Sequence, residues 1–309
     1  MKIVMMGSGG VGGFFGGRLA QVGYDVTFIA RGAHLAAMQK QGLLIESEAH
    51  GDIHIPKVRA TDDPATLGQA DLVIVSVKLW DSDATAKLIK PLVGPKTGVL
   101  SLQNGVIKDE IWRGAFGEKA VMGGVAYVGS HIARPGVIHQ VGTMQRVVLG
   151  EYDGRKSERA EFLYEALKHS GVTAELSTDV RRAIWEKYVF LVGLSATTAS
   201  MRTSLGPIRS NPKSRAFLLQ LMQEVVAVGR ACGVAIPEDF AEGRLAFADS
   251  LPADMNSSMN HDLQTNRPLE VNWLSGGVVK LGKEKGVPTP ANSAVCDILA
   301  LYADGPVVA

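Results

Sequence analysis

Five short runs rich in apolar and β-branched residues recur through the first half of the chain: KIVMM (2–6), DVTFIA (25–30), ADLVIVSV (70–77), GVLSLQ (98–103) and KAVMGGVAYV (119–128). Helical patterns separate them. Strands that are nearly continuously apolar and alternate with helices build a parallel sheet covered on both faces, so this half is expected to be a doubly wound α/β domain. Beyond residue 128 the pattern changes to GVIHQV (136–141) and QRVVLG (145–150), with the turn residues Arg134, Pro135 and Gly136 at the front. Antiparallel strands finishing the sheet are expected there, followed by a helix over 156–170 and a short strand over 173–176. From Asp179 onward three long helical windows take over, at 179–200, 213–233 and 269–286. The reading is therefore a sheet domain over 1–177 and an all-α domain over 178–309, closely packed because no low-complexity linker lies between them. The cleft of two such domains is the natural place for a site.

Composition narrows the partners. Lys plus Arg and Asp plus Glu nearly cancel, giving a net charge of +1, so no whole-chain field recruits nucleic acid or an anionic membrane. Cys232 and Cys296 are too few for a disulfide framework or a thiolate metal cluster and read as reduced cytosolic thiols. The first apolar run breaks into glycines at once, unlike a secretory signal, and the long uncharged stretch 188–201 is shorter than the roughly 20 residues that span a bilayer. A cytoplasmic protein acting on a small molecule is expected, as a monomer or a homodimer through its helical half. His50 and His54 have a metal-like spacing, but Gly51 and the adjoining IHIP place them on a turn and a strand, where that spacing does not converge; no metal is expected. The GPKTG stretch (94–98) reads as a turn, and the four tryptophans, Trp80, Trp112, Trp185 and Trp273, as packing residues.

KIVMMGSGGVGG (2–13) puts Gly7, Gly9 and Gly12 in G-x-G-x-x-G spacing between the first strand and a helix. Gly7 would permit the tight turn, Gly9 would let the backbone approach a pyrophosphate, and Gly12 would allow close helix packing, while the helix N-terminus offers free N–H groups to the phosphates. The residue that reads the ribose should lie about 20 residues further on, at the end of the second strand. Arg31 is there. A carboxylate would accept from both hydroxyls of NAD; a guanidinium instead offers forked donors and charge to a 2′-phosphate, so the base points to NADP. A solvated strand-end arginine is the other reading of Arg31. Two further loops, at Lys78 and at Asn104, leave the carboxyl ends of strands where a ligand would sit.

The window around IWEKYVFLVGLSATTAS (184–200) is apolar on nearly every face yet carries a lysine. Lys187 aligns with Leu191, Ser195 and Thr198 on one helix face. A desolvated ammonium has a lowered pKa and can donate a proton near neutral pH; alternatively Lys187 pairs with a carboxylate such as Glu186 or extends to solvent.

Together, the glycine turn with Arg31, VK (77–78), QNG (103–105), PGVIHQVG (135–142), WEK (185–187), SSMNHDL (257–263), LEVNWLSG (269–276) and GVPTPAN (286–292) resemble the ketopantoate reductases, or 2-dehydropantoate 2-reductases. The resemblance spans almost the whole chain. It implies a Rossmann-type domain followed by an all-α domain, and reduction of a 2-oxo acid by NADPH in pantothenate biosynthesis. It implies that Gly7, Ser8, Gly9, Gly10, Val11, Gly12, Arg31 and Lys78 bind the cofactor and that Asn104 lies beside nicotinamide and substrate. Lys187 would be the general acid, Glu270 the carboxylate that helps hold that lysine and the substrate or cofactor, and Ser258 the serine that binds the substrate carboxylate. Ser195 stands where the family has a substrate-gripping asparagine, as does Leu191, and Met255 replaces another; a different 2-oxo acid as substrate is therefore a real alternative. Another NADPH dehydrogenase of this two-domain type and a non-catalytic NADPH sensor are the remaining ones.

Overall fold

The structure, a computed structural model, describes residues 1–307; the end of the expected second domain, 308 and 309, lies outside the described residues. Contacts divide the chain into two units, Met1–Gln103 with Lys108–Ala183, and Asn104–Ile107 with Ile184–Ala309.

The first unit holds a ten-stranded sheet. Its strands are β1 (Lys2–Met6), β2 (Asp25–Ile29), β3 (Leu43–Ser47), β4 (Ile53–Ile55), β5 (Arg59–Thr61), β6 (Leu72–Val75), β7 (Gly98–Ser101), β8 (Val121–Arg134), β9 (Val137–Gly150) and β10 (Thr173–Leu176). Helices α1 (Gly10–Gln21), α2 (Gly32–Gln41), α3 (Ser82–Leu88), α4 (Lys108–Phe116) and α5 (Glu158–His169) connect them. The order β4-β3-β9-β8-β7-β6-β1-β2-β5 runs across the sheet, with β10 also on β9. The pairs from β5 through β2, β1, β6 and β7 to β8 are parallel. Because side chains alternate along a strand, Ile3 and Met5 join Phe14, Phe15 and Leu19 of α1 in one core, while Val4 and Met6 join Ala86, Ile89 and Trp112 in another. Both sheet faces are thus covered, as the apolar runs required.

In this unit three features differ from the sequence reading. Strands β3 and β5 lie in the stretch after α2, on either side of the strand expected at IHIP (53–56), which is β4. The two expected strands after residue 136 are one long β9, antiparallel to β8, whose register jumps from Val128↔Gln145 to Gly129↔Val141 and leaves residues 142–144 as a bulge. Its first half also pairs with β3 and its second with β10. The division between units falls inside the following helix, α6 (Val180–Met201), since Val180 packs where any Cβ on Gly123 would stand.

The second unit comprises most of α6 with α7 (Leu205–Ser210), α8 (Pro212–Ala231), α9 (Phe240–Ser250), α10 (Ser258–Gln264), α11 (Ser275–Lys285) and α12 (Pro290–Leu299). Leu218, Leu221, Met222, Val225 and Val228 form the i, i+3, i+4 stripe of α8 and pack on Tyr188, Val189, Val192 and Ala196 of α6. Glu224 on α8, buried, accepts the Ala291 and Asn292 N–H groups at 2.8 and 2.9 Å, putting a carboxylate at the positive end of α12. The expected helix over 269–286 is broken: Glu270–Asn272 form a 3-10 turn and α11 starts only at Ser275. Among the described residues no helix is long and apolar enough to cross a membrane.

Candidate active site

In the first unit, β2 and β5 extend to one side of β1, and β6, β7 and β8 to the other. Ligands of doubly wound sheets bind beyond the carboxyl ends of the strands at such a reversal. The turn there, residues 7–12, is built tightly. Gly7 has φ +95°, and a Cβ on it would press on Val77, while its carbonyl accepts from Ser76 Oγ at 2.6 Å. A Cβ on Gly12 would run into the Gly7 carbonyl and Ser76 Oγ, so the helix start lies directly against the strand end. Gly9, by contrast, faces open space, and no side chain or acidic residue caps the N-terminus of α1, whose first residues are Gly10 and Val11. Free N–H groups, a positive dipole end and an open approach fit a pyrophosphate.

Arg31 directly precedes α2 with a side chain 72% exposed, 4.0 Å from the Asp81 carboxylate. Such an exposed pair is weak, so the guanidinium is available to a 2′-phosphate. Asp25 is engaged by Arg59, at the far end of β2. Lys78, half-buried, precedes the 3-10 turn Leu79–Asp81, with its ammonium 5.5 Å from the Trp80 ring. Trp80 lies on the surface, unlike buried Trp112 and Trp185, correcting the reading of all four tryptophans as packing residues.

Sequence reasoning missed a buried polar network beneath these loops. Gln103 Nε2 donates to Ser82 Oγ at 2.9 Å, and its Oε1 accepts from Ser101 Oγ and Trp112 Nε1 at 2.9 and 3.0 Å. Lys108, 1% exposed, donates to the carbonyls of Ser101 and Gly124 at 2.7 and 3.0 Å and pairs with Asp109 at 3.2 Å. The Tyr152 hydroxyl donates to Asp109. Burial pulls the Lys108 amine below its ordinary pKa, with Asp109 opposing, and burial beside Asp109 pushes the Tyr152 phenol up. In sequence, KDE at 108–110 looks like a solvated helix start, so nothing flagged it.

In the second unit, α6 turns Lys187 to a half-buried position where Nζ donates to Asn104 Oδ1 at 2.9 Å. Residues separated by 83 positions in sequence thus meet. Along the same helix face Ser195 is 1% exposed and its hydroxyl has no hydrogen-bond partner among the described residues. Thr198 Oγ1 donates to the Leu194 carbonyl at 2.6 Å and lies 2.7 Å from Ser257 Oγ. Ser257, not Ser258, is the buried member of the serine pair; Ser258 opens α10 and is exposed. Glu270 is 5% exposed at the start of its 3-10 turn, not on a solvated helix. His50 and His54 each bond a backbone carbonyl, and among the described residues no cluster of His, Cys, Asp and Glu could hold a metal ion.

The profile described as ketopantoate reductase PanE/ApbA matches residues 3–154, and that of its C-terminal domain matches residues 179–303. The chain belongs to the ketopantoate reductase family. It is 32% identical to a 2-dehydropantoate 2-reductase of Mesorhizobium japonicum, with 96% of this chain and 95% of that one aligned. It is 31% identical to an uncharacterized oxidoreductase, YkpB, of Bacillus subtilis, over 98% and 99% of the two chains. The crystal structure of 2-dehydropantoate 2-reductase from Geobacter metallireducens superposes with a TM-score of 0.91 at 30% identity, covering 97% of this chain and 99% of that one. As a ketopantoate reductase family member, the chain is an oxidoreductase that uses a nicotinamide dinucleotide to reduce a 2-oxo acid.

Proposed function

We propose that this chain reduces 2-dehydropantoate to pantoate with NADPH in the cytoplasm, with Lys187 as the general acid. The observation that carries the proposal is the Lys187–Asn104 hydrogen bond, which fixes an ammonium where α6 turns from charged residues to a long apolar run. The nicotinamide, when bound, supplies the hydride that the ketone carbon takes up. As that carbon becomes tetrahedral, negative charge grows on its oxygen, where Lys187 stabilises it and then transfers a proton, completing the 2-hydroxy acid. Asn104 Oδ1 restrains the amine so that little reorganisation is needed at that moment. Glu270 supports the lysine and the ligands. Ser195 and Ser258 offer hydroxyl donors to substrate oxygens, Ser195 with a donor that no protein group uses. The turn at residues 7–12 and Lys78 hold the dinucleotide, and Arg31 reads its 2′-phosphate. Exchanging Arg31 for Ala is expected to raise KM for NADPH by at least about tenfold while leaving KM for NADH within about twofold, since only one carries the phosphate that a guanidinium would bind. Parallel loss with both cofactors would show that Arg31 reads no phosphate.

A second reading, reduction of a more apolar 2-oxo acid, draws on Leu191, half-buried one turn beyond Lys187, and on Met255. By the resemblance to the family, both stand where polar amides would be expected. A panel of 2-oxo acids with NADPH, followed at the nicotinamide absorbance, tests both readings. Preference for 2-dehydropantoate supports the first, preference for a bulkier apolar acid the second, and NADPH oxidation with none of them a sensor without catalysis.

A further inference from the structure

We infer that His34 is a positioning residue for the dinucleotide, locking the peptide between Ser8 and Gly9 so that the Gly9 N–H is presented to a phosphate. The inference rests on the dinucleotide reading of the glycine turn. His34 lies three residues beyond Arg31 in α2, half-buried, with both ring nitrogens engaged. Nε2 meets the Ser8 carbonyl at 2.9 Å, and Nδ1 accepts from the Gly136 N–H, between β8 and β9, at 3.0 Å. A carbonyl can only accept and an amide N–H can only donate, so these partners select the neutral ring with its proton on Nε2. Burial works the same way, holding the imidazole below its ordinary pKa, with the Ser8 bond opposing.

The direction of the Ser8 carbonyl matters because a trans peptide is planar, with its C=O and the following N–H pointing oppositely. Drawing the Ser8 oxygen toward α2 aims the Gly9 N–H away from it. The rest of Ser8 is held as well: its own N–H and its Oγ both donate to the Ile29 carbonyl, at 3.1 and 3.0 Å. His34 therefore supplies the remaining restraint on that peptide. It also ties the turn that faces a pyrophosphate to the helix that begins just after Arg31.

Three variants of the full chain separate the two ends of the ring. His34→Gln places an amide nitrogen near the position of Nε2 and keeps a donor for Ser8. His34→Asn places an oxygen near Nδ1 and keeps only the acceptor for Gly136. His34→Leu keeps neither. Measured by nicotinamide fluorescence, NADPH affinity is expected to fall about tenfold in Leu and Asn, a loss of about 1.4 kcal/mol, and to stay within about threefold of wild type in Gln. KM for NADPH should rise by more than kcat falls. Should the Leu chain fail to fold, the ratio of Gln to Asn decides alone. Equal affinity in Gln and Asn, rescue by Asn rather than Gln, or a fall in kcat with NADPH affinity unchanged overturns the inference. Wild-type chain that binds no NADPH overturns the dinucleotide reading and the inference with it, whereas normal binding by wild type and all three variants overturns the inference alone.

Discussion

Replacing Lys187 by alanine is expected to lower kcat by about 10²- to 10⁴-fold while leaving NADPH binding nearly intact. The bond from Lys187 to Asn104 Oδ1 involves neither the glycine turn nor Arg31, the residues proposed to hold the dinucleotide phosphates, so cofactor binding is expected to survive the truncation. The loss has two components, the charge that offsets the developing oxyanion and the proton that finally neutralises it. Lys187→Arg separates them, because a guanidinium keeps the charge but does not release a proton near neutral pH. That variant should retain more affinity for the 2-oxo acid than Lys187→Ala yet recover little of kcat. Steady-state rates at saturating NADPH, with cofactor affinity measured separately, check both. Turnover at the wild-type rate from Lys187→Ala would remove the residue from the chemistry.

The largest expected effect on stability lies at Lys108. Exchanging it for methionine keeps most of the packing volume but strands the Asp109 carboxylate, whose side chain is 2% exposed. It also frees the carbonyls of Ser101 and Gly124 from their donor. Removing one member of a buried pair costs about 3–5 kcal/mol, because the remaining charge has lost its counter-charge without gaining water; here the Tyr152 hydroxyl still donates to it but carries no charge. Replacing both, as Lys108→Met with Asp109→Leu, should be much milder than the single change, since no uncompensated charge is left, although Tyr152 then loses its acceptor. Denaturant unfolding of the two variants provides the comparison. A single variant as stable as wild type would mean that the Tyr152 hydroxyl is enough to hold the Asp109 carboxylate.

Much of the sheet was legible because its central strands are buried on both faces and must be apolar throughout. Strand β5 was not, since a three-residue strand of mixed residues gives no usable alternation. The bulge in β9 hid a single strand as two: Val141 and Met144 point into solvent there, 56% and 46% exposed, and Gly142 has φ +70°. The broken helix at 269–286 misled for the opposite reason. Val271, Leu274, Val278 and Leu281 keep helical spacing straight across the break and are all buried, so the pattern carries no sign that Leu274 leaves the helical backbone at ψ −93°. Within the candidate site, the tight glycine turn was readable from spacing because its backbone contacts are local. The meeting of Lys187 with Asn104 was not, since no periodicity links the two. Resemblance had marked both residues; spacing alone left Lys187 with a bland alternative. His34 and Gln103 escaped for the same reason, their partners being backbone atoms and side chains from other loops.

Asn104–Ile107 belong with residues 184 onward although they are threaded through the other unit's sequence. Val106 and Ile107 pack against the helical core, and Asn104 accepts the bond from Lys187. A gene fission or a truncated clone that began at residue 184 would therefore yield a protein short of part of its own interior and of its lysine's partner. Attempts to express this half by itself should graft those four residues back on, and domain shuffling in nature would face the same obstacle.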